Sequence, residues 1–322
     1  MVATAGMTAF TVYVLGSLFY VYKLRGQTRY ENLTEYLRKG WPLFAPLNCL
    51  LYLFTPKAAS APILDTNDYP ELKYLRDNWQ TIRDEALELY RKQHFDSIKK
   101  PGAQSYYDIG FRTFYKYGWS KFYLKWYGYT HASALSLCPK TVEILKQVPS
   151  VNGAMFSLLP PGSQLTRHLD PVACSLRYHL GLSTPNNDSC FINIDGNTHS
   201  WRDGKDLLFD ETYLHFAKNN SDSPRLILMC DFERPTNIFG KFFNFLYKGL
   251  ARLTVVPNME GDKRGLANRV FSGLAPVLQK TKALKETHPT RYKFIKYSVN
   301  GLLTALVFLI FYILLRAIQL FI

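Results

Sequence analysis

The chain has 322 residues, a formal net charge of +14, 47% hydrophobic residues and 15% aromatic residues. It contains no internal repeat or low-complexity tract, and this composition allows a sizeable hydrophobic core. The positive charge predicts an acidic partner, such as nucleic acid, an anionic lipid or a phosphorylated substrate. The five cysteines are scattered without CxxC spacing, which speaks against a disulfide framework and favours a reduced, cytosol-facing protein.

Both ends of the chain contain uncharged stretches. Residues 1–22 carry no charged side chain and are long enough to cross a bilayer as a helix, so we predict an N-terminal transmembrane helix. Residues 298–322 begin with a second uncharged run and predict a C-terminal transmembrane helix. A cleaved signal peptide is disfavoured because no basic residue precedes the first run. The basic residues that mark the cytoplasmic side lie between the two segments: Lys23, Arg25, Arg29, Arg291, Lys293 and Lys296. We therefore expect a multi-pass protein whose middle lies in the cytoplasm.

Two further segments are predicted to lie at the membrane surface. Residues 23–60 include a short apolar stretch, 41–54, that two prolines interrupt, so an interfacial or re-entrant position fits better than a third crossing. Residues 236–297 are strongly basic, and 238–253 has the pattern of a basic amphipathic helix. The alternative for this second segment is a solvated basic face packed on the domain.

Residues 61–235 are predicted to form the main domain, with its core at 150–235. Apolar residues at helical spacing predict one helix over 71–99. Residues 112–129 interleave aromatic and basic side chains, which suits nucleic-acid stacking, but a strand pair with a buried aromatic face is favoured, and no nucleic-acid partner is expected. From 157 to 234, short β-rich runs alternate with turn signals, as is typical of an antiparallel sandwich or barrel.

Two His-x-Asp pairs stand in different contexts. His94 and Asp96 end the predicted helix, where residues two apart point about 200° apart and cannot grip one ion. His168 and Asp170, in "RHLDP", enter the β-rich block, where residues two apart share a face. His215 follows at the end of "LLFDETYLH". Two histidines and a carboxylate on one face of a barrel are a ligand set for non-haem Fe(II), although three ligands plus water also describe a catalytic zinc.

Two arginines are predicted to point into the same barrel. Strand alternation in "CSLRYHLGL" puts Arg177 and His179 on one face and the leucines on the other. Arg225 opens a further strand, "RLILMCDF". A buried arginine requires an anionic partner and matches a carboxylate bidentately. Two inward arginines beside a metal triad suggest a small dicarboxylate cosubstrate, and 2-oxoglutarate fits this description.

Three motifs carry a resemblance to a known family: "SLLPPGSQLTRHLDPVACSLRYHLGL", "WRDGKDLLFDETYLHFAKN" and "RLILMCDFERP". Over about residues 150–235 the chain resembles the aspartyl/asparaginyl β-hydroxylase family of Fe(II)/2-oxoglutarate dioxygenases, and as a whole it is similar to the bacterial lipid A 2-hydroxylases of that family. The resemblance implies an α+β fold built on a double-stranded β-helix, that is, a jelly-roll or cupin barrel. Surrounding helices and terminal transmembrane helices would complete it.

The resemblance also implies roles for individual residues. The implied iron ligands, which are also the catalytic residues, are His168, Asp170 and His215. The implied 2-oxoglutarate-binding residues are Ser157, Arg177, His179 and Arg225. Ser157 and Arg225 would bind the distal carboxylate, and Arg177 and His179 would lie near the iron-chelating end. Asp210 is a candidate for the group that orients His215, with a simple turn residue as the alternative.

The activity implied by the resemblance is hydroxylation of C2 of a secondary acyl chain of lipid A, with Fe(II), 2-oxoglutarate and O₂. The expected partners are lipid A or a related acylated glycolipid and inner-membrane lipids, with no obligate protein partner. The expected location is the bacterial inner membrane, with the catalytic domain facing the cytoplasm. Two alternatives stay open: a membrane-anchored peptidyl Asp/Asn β-hydroxylase, and a non-enzymatic lipid-binding membrane scaffold. We further expect 41–54 and 238–253 to form a membrane-facing rim around the active site.

Overall fold

The structure, a computed structural model, describes residues 2–97, 108, 118–299 and 301–302. Residues 1–268 form one compact unit, and residues 269–322 form a second. The helices are α1 (Val2–Phe19), α2 (Leu33–Lys39), α3 (Ala45–Phe54), α4 (Pro70–Asp77), α5 (Trp79–Arg91), α6 (His94–Ser97), α7 (Ala132–Leu137), α8 (Pro139–Lys146), α9 (Ile238–Arg252) and α10 (Leu266–Thr287). The strands are β1 (Ile63–Leu64), β2 (Ser120–Trp126), β3 (Tyr129–Thr130), β4 (Val151–Leu159), β5 (Gln164–His168), β6 (Ser175–Ser183), β7 (Cys190–Ile194), β8 (Asn197–Ser200), β9 (Asp206–Phe209), β10 (His215–Asn219) and β11 (Arg225–Glu233).

The strands form two antiparallel sheets in the first unit. One sheet has seven strands in the order β1-β9-β6-β11-β4-β2-β3, and the other has four in the order β5-β10-β7-β8. From β4 onward the chain alternates between the sheets, with β4, β6, β9 and β11 in the larger and β5, β7, β8 and β10 in the smaller. This alternation is that of a jelly roll. The predicted α+β fold with a double-stranded β-helix therefore agrees with the strand order.

The larger sheet is buried on both faces, because its side chains alternate between two cores. Its inner face packs against the smaller sheet, and Met155 and Phe209 share one cluster with Ile192 and Ala217. Its outer face packs against the helices around α5, in a cluster that holds the leucines of β6. Period-2 alternation thus directs the leucines of β6 toward the helices and its polar residues toward the space between the sheets.

The single helix predicted over 71–99 is wrong. The described part of this range forms three helices, α4, α5 and α6, with breaks at Asn78 and around Gln93. Gln93 has a left-handed φ of 59°, which ends α5. His94 packs edge-on against Phe122, at 6.3 Å between ring centroids, and belongs to no candidate metal group among the described residues.

Buried ion pairs attach the segment after α1 to the barrel. Arg25 and Arg234 each place a guanidinium nitrogen 2.7 Å from a carboxylate oxygen of Asp210. Arg25 also lies over the rings of Tyr52 and Tyr213, at 3.6 and 4.0 Å from their centroids. Burial alone would raise the pKa of Asp210, but the two guanidinium groups lower it to about 2. The segment that precedes the barrel in sequence is therefore part of its structure.

α3 and α9 lie together beside the loop that follows Asp170. Asn48 of α3 donates from Nδ2 to the carbonyl of Pro171 at 3.0 Å, and its Oδ1 accepts from the amide of Ala173 at 2.9 Å. Phe54 stacks on Phe243 of α9 at 6.2 Å between ring centroids. The apolar side chains that α9 exposes are Ile238, Phe239, Phe242, Phe245, Leu246 and Leu250. The predicted helix at 238–253 is confirmed and lies near the candidate site; its contact with a membrane stays a prediction.

The transmembrane predictions are not confirmed. Among the helices of the described residues, none combines the length and hydropathy needed to cross a membrane. The predicted N-terminal span corresponds to α1 and the start of the π-helical turn Tyr20–Leu24. Most of the predicted C-terminal span, 298–322, lies outside the described residues.

Candidate functional site

The two predicted histidine ligands lie opposite each other on neighbouring strands. His168 ends β5, His215 begins β10, and the two residues are direct cross-strand partners. Their ring centroids are 4.2 Å apart, and Nε2 of His168 lies 3.8 Å from Oδ1 of Asp170. One ligand atom from each of the three residues lies within 4.8 Å of the other two. The structure therefore brings His168, Asp170 and His215 together, as predicted.

Backbone carbonyls set the orientation of both imidazoles. Nδ1 of His168 lies 2.7 Å from the carbonyl of Thr166, and Nδ1 of His215 lies 2.9 Å from that of Tyr213. When each Nδ1–H donates to its carbonyl, Nε2 carries the lone pair that a metal requires. Burial, followed by the neighbouring imidazole of His168, lowers the pKa of His215 to about 3, so the ring of His215 is neutral at physiological pH. The expectation that Asp210 orients His215 is wrong, because the carbonyl of Tyr213 occupies that place.

The third candidate ligand, Asp170, is held by a buried arginine. Nη2 of Arg177 donates to Oδ2 of Asp170 at 2.8 Å. The same guanidinium pairs with Glu211 and, at 2.7 Å, with Asp231. Burial raises the pKa of Asp170, but the charge of Arg177, the two neighbouring histidines and a hydrogen bond with Glu211 together outweigh burial and keep this pKa below its ordinary value. One guanidinium therefore lies among three carboxylates, and this excess of acidic groups favours a divalent cation.

The other two carboxylates of this cluster have their own fixed partners. Ser175 donates its hydroxyl to Glu211 at 2.7 Å, and Tyr127 donates its hydroxyl to Asp231 at 3.0 Å. Arg177 faces inward, as predicted, but carboxylates of the chain already match its charge. Its predicted contact with a cosubstrate therefore stays a prediction. Sequence reasoning missed both carboxylates, although Asp231 shares the inward face of β11 with Arg225 at period 2.

The candidate metal group opens on a cavity between the two sheets. Its apolar walls include Trp119, Leu165, Ile192, Trp201, Phe209 and Met229. Its polar lining, beyond the three candidate ligands, is Ser157, Arg177, His179 and Arg225. Every residue that the sequence analysis assigned to metal or cosubstrate thus lines one cavity, whereas most of its aromatic wall was not predicted.

Arg225 is a buried cation that lines this cavity without a carboxylate partner in the described part of the chain. It is 1% exposed, and it donates from Nη2 to the hydroxyl of Ser157 at 3.0 Å. The Ser157 oxygen also accepts from Trp119 Nε1 at 2.7 Å, and the guanidinium lies 4.4 Å from the centroid of the Trp201 ring. Burial lowers the pKa of Arg225 to about 10, which leaves it charged at neutral pH. Such a group requires an anion from outside the chain.

His179 is a second polar group that faces the cavity with unused capacity. It is 5% exposed, and among the described residues neither of its ring nitrogens has a hydrogen-bond partner. Burial, followed by the charge of Arg225, holds its pKa far below the ordinary value, so the ring is neutral. Phe209 packs edge-on against it at 5.2 Å between ring centroids. His179 can therefore offer one donor and one acceptor to a molecule in the cavity.

Arg167, beside the candidate ligand His168, points away from the metal group, as strand alternation predicts. Its Nη2 donates to the carbonyl of Arg29 at 2.9 Å. The side chain therefore contacts the segment after α1, outside the barrel.

A jelly roll with a group of two histidines and one carboxylate at its mouth defines a β-sandwich protein with a candidate metal centre. The profile of the family described as Aspartyl/Asparaginyl beta-hydroxylase matches residues 76–235. The ornithine lipid ester-linked acyl 2-hydroxylase of Rhizobium tropici is 30% identical over 203 residues, which are 62% of this chain and 69% of that relative. The chain belongs to the aspartyl/asparaginyl β-hydroxylase family.

One further relative and one solved structure are less similar to this chain. Human aspartyl/asparaginyl beta-hydroxylase is 32% identical over 173 residues, which are 52% of this chain but 22% of that protein. The chain thus spans about a fifth of that relative. The solved structure of a Pseudomonas putida prolyl-4-hydroxylase covers 50% of this chain and 88% of its own, with 17% identity and a TM-score of 0.32.

Proposed function

We propose that the chain is an Fe(II)- and 2-oxoglutarate-dependent dioxygenase that hydroxylates C2 of an acyl chain of lipid A or of a related acylated lipid. The observation that carries this proposal is the pairing, in one cavity, of the His168, Asp170 and His215 group with the unpartnered cation of Arg225. The metal group supplies the ligands that non-haem Fe(II) prefers, and Arg225 supplies a binding site for a carboxylate.

The residues present fit the proposed metal. His168 and His215 would bind it through Nε2, because their Nδ1 atoms face backbone carbonyls. Asp170 would contribute an ionised carboxylate, which Arg177 holds in place. Bound Fe(II), together with 2-oxoglutarate and O₂, supplies the oxidant for a C–H bond. Two histidines and one carboxylate leave coordination positions for ligands from outside the chain.

The remaining polar residues of the cavity fit the cosubstrate. Arg225 and the Ser157 hydroxyl would bind the distal carboxylate of 2-oxoglutarate, and this anion would neutralise the buried guanidinium. His179 would donate one hydrogen bond as a neutral ring and would add no charge. The aromatic wall around Trp119, Trp201 and Phe209 excludes water, which restricts the reaction to a substrate held in place.

Three features support a lipid as the substrate. The relative from Rhizobium tropici is named for hydroxylation at position 2 of an ester-linked acyl chain. α9 exposes a row of large apolar side chains close to the loop that follows Asp170. Basic residues flank the uncharged segments at both ends of the chain, which supports anchoring in a bacterial inner membrane with the catalytic domain in the cytoplasm.

The test is turnover by full-length protein that has been loaded anaerobically with Fe(II). Succinate formation and the mass of the organic product are measured with lipid A, with ornithine lipid and with an Asp/Asn-containing peptide. We expect a gain of one oxygen atom in a lipid acyl chain and none in the peptide. Hydroxylation of the peptide alone would replace the proposal with a peptidyl hydroxylase. Failure to take up iron, with no succinate formed, would favour zinc chemistry or a lipid-binding scaffold.

A pair of arginine variants isolates the cosubstrate site. Arg225→Gln should raise the KM for 2-oxoglutarate at least about tenfold, because a charge-assisted hydrogen bond to a buried carboxylate is lost. Iron uptake should not change. Arg202→Gln is the matched control. Arg202 does not line the cavity, and its guanidinium lies 2.5 Å from a carboxylate oxygen of the exposed Asp188. Equal KM values for 2-oxoglutarate in the two variants would remove Arg225 from the site.

A further inference from the structure

A second cavity lies on the outer side of the loops that carry the candidate metal ligands. It lies between the segment after α1 and the barrel. Leu169 and Leu214 form part of its wall. Leu169 stands between His168 and Asp170 in the sequence, and Leu214 directly precedes His215. A molecule in this cavity therefore touches the loops that position all three ligands.

The wall contributed by the N-terminal segment is rigidly built. The carboxylate of Asp195 accepts hydrogen bonds from the backbone amides of Gln27 and Thr28, at 2.7 and 2.8 Å. Tyr22 stacks on Tyr36 with ring centroids 5.1 Å apart. Together with the Arg25–Asp210 ion pair, these contacts preform the cavity, and a ligand would not have to order it.

Polar donors around the cavity are left without partners. Tyr36 is 1% exposed, and among the described residues its hydroxyl has no hydrogen-bond partner. The same holds for Nε of Arg25, a residue that is 9% exposed. Burying such groups unpaired is unfavourable, so two of them at one cavity indicate a hydrogen-bond acceptor from outside the chain.

Arg29 adds a positive charge to the lining. Its guanidinium is held by the carbonyls of Lys23 at 2.7 Å, Gly26 at 3.0 Å and Gln27 at 3.1 Å. It has no carboxylate partner within the described ranges, so its charge is fixed in place and uncompensated. A guanidinium has five N–H donors, and three acceptors leave capacity for an anion.

We propose that this second cavity binds the anionic headgroup, a phosphate or a carboxylate, of the acylated lipid substrate. Arg29 faces the anion, and Tyr36 and Arg25 donate to oxygen atoms of the headgroup or of its linkage. The apolar wall of Val21, Leu169 and Leu214 accepts the first carbons of the chain. The inference rests on the proposed function, since C2 lies next to the acyl carbonyl, so oxidation there requires the polar, ester-linked end of the acyl chain to lie near the metal.

The experiment measures binding without turnover. Octyl phosphate is titrated into the metal-free full-length protein in neutral detergent by calorimetry, and inorganic phosphate is titrated in parallel. We expect Arg29→Gln to weaken octyl phosphate binding about tenfold and Tyr36→Phe to weaken it about threefold, from the loss of one charged and one neutral hydrogen bond. Arg29→Lys should recover part of the affinity. The matched controls are Arg91→Gln and Tyr90→Phe on α5, which are exposed and lie outside both cavities.

Five outcomes are informative. Binding that both variants weaken, and that the controls leave unchanged, supports the headgroup site. Binding unchanged in Arg29→Gln and Tyr36→Phe overturns it, and so does inorganic phosphate that binds as tightly as octyl phosphate. If the wild-type protein hydroxylates no lipid, but Arg29→Gln still weakens the binding of octyl phosphate, the proposed function is wrong and the cavity is still supported as a binding site. If lipid is hydroxylated with the same KM in wild type, Arg29→Gln and Tyr36→Phe, only the cavity assignment fails.

Discussion

Glu211 should influence metal affinity although it is not a candidate ligand. Glu211→Gln removes one of three carboxylates around Arg177 and keeps the oxygen that accepts the Ser175 hydroxyl. The metal then meets less negative charge. In addition, Arg177 loses one competing partner and binds Asp170 more tightly. Both effects lower affinity, and changes to a residue that contacts a metal ligand or its partner cost about 10- to 100-fold in metal affinity, or about 1.4 to 2.7 kcal/mol.

The assay is anaerobic Fe(II) binding in competition with a chelator, across pH. Burial raises the pKa of Glu211 well above its ordinary value, and a bound cation favours the ionised carboxylate, so metal binding should displace a proton from Glu211 over the pH range in which it is protonated. Wild-type affinity should therefore rise with pH through this raised pKa, and Glu211→Gln should lose that part of the slope. Glu143→Gln, an exposed change next to Lys146, is the control. Equal affinity and equal pH dependence in folded Glu211→Gln would refute the reasoning, and tighter binding would refute it as well.

Two further predictions concern stability, measured by urea unfolding. The pKa of Asp210 falls from 3.8 to about 2, so its ionised form contributes about 2 kcal/mol to the free energy of unfolding, a contribution that is present above pH 4 and is lost as the pH falls through 2. At pH 7, Asp210→Asn should lower the free energy of unfolding by about 3 kcal/mol, whereas the exposed Asp188→Asn should not change it. Equal stabilities of the two variants would contradict the ion-pair argument. Gly181→Ala would place a Cβ against the carbonyl oxygen of Arg202 and should destabilise by about 2 kcal/mol, whereas Gly249→Ala, which meets nothing within 4 Å, should stabilise by up to about 1 kcal/mol. The opposite order of the two glycine variants would show that the close approach at Gly181 is relieved by backbone movement.

Local periodicity predicted the parts of the site that depend on one strand. The alternation around Arg177 and His179 correctly predicted that both side chains face the inside of the barrel. The spacing of His168 and Asp170 correctly predicted that these two residues lie together. The direct pairing of His168 with His215 across neighbouring strands was not predicted, since spacing alone does not determine strand order. The partners of Arg177 were not predictable, because they depend on which strands neighbour each other and on a loop that returns Glu211 to the site.

The same limit explains the errors. The apolar repeat of 71–99 continues through Asn78, so the pattern does not reveal the break between α4 and α5. Asp210 stands five residues before His215 and is of a type that often supports a metal-bound histidine. Two arginines from distant parts of the chain, Arg25 and Arg234, use it instead. Long-range charge pairing decided the role of this residue, and sequence neighbours carry no information about such pairing.

The ion pair between Arg25 and Asp210 bears on how a substrate carbon is selected. Arg25 follows α1 after one turn, and Asp210 lies in the loop that leads to His215, so the pair sets a fixed distance between the end of α1 and the metal group. The second cavity, which the segment after α1 lines, is thereby held at a fixed separation from the metal group. A substrate that filled both sites would present one particular carbon to the metal, because this separation cannot adjust.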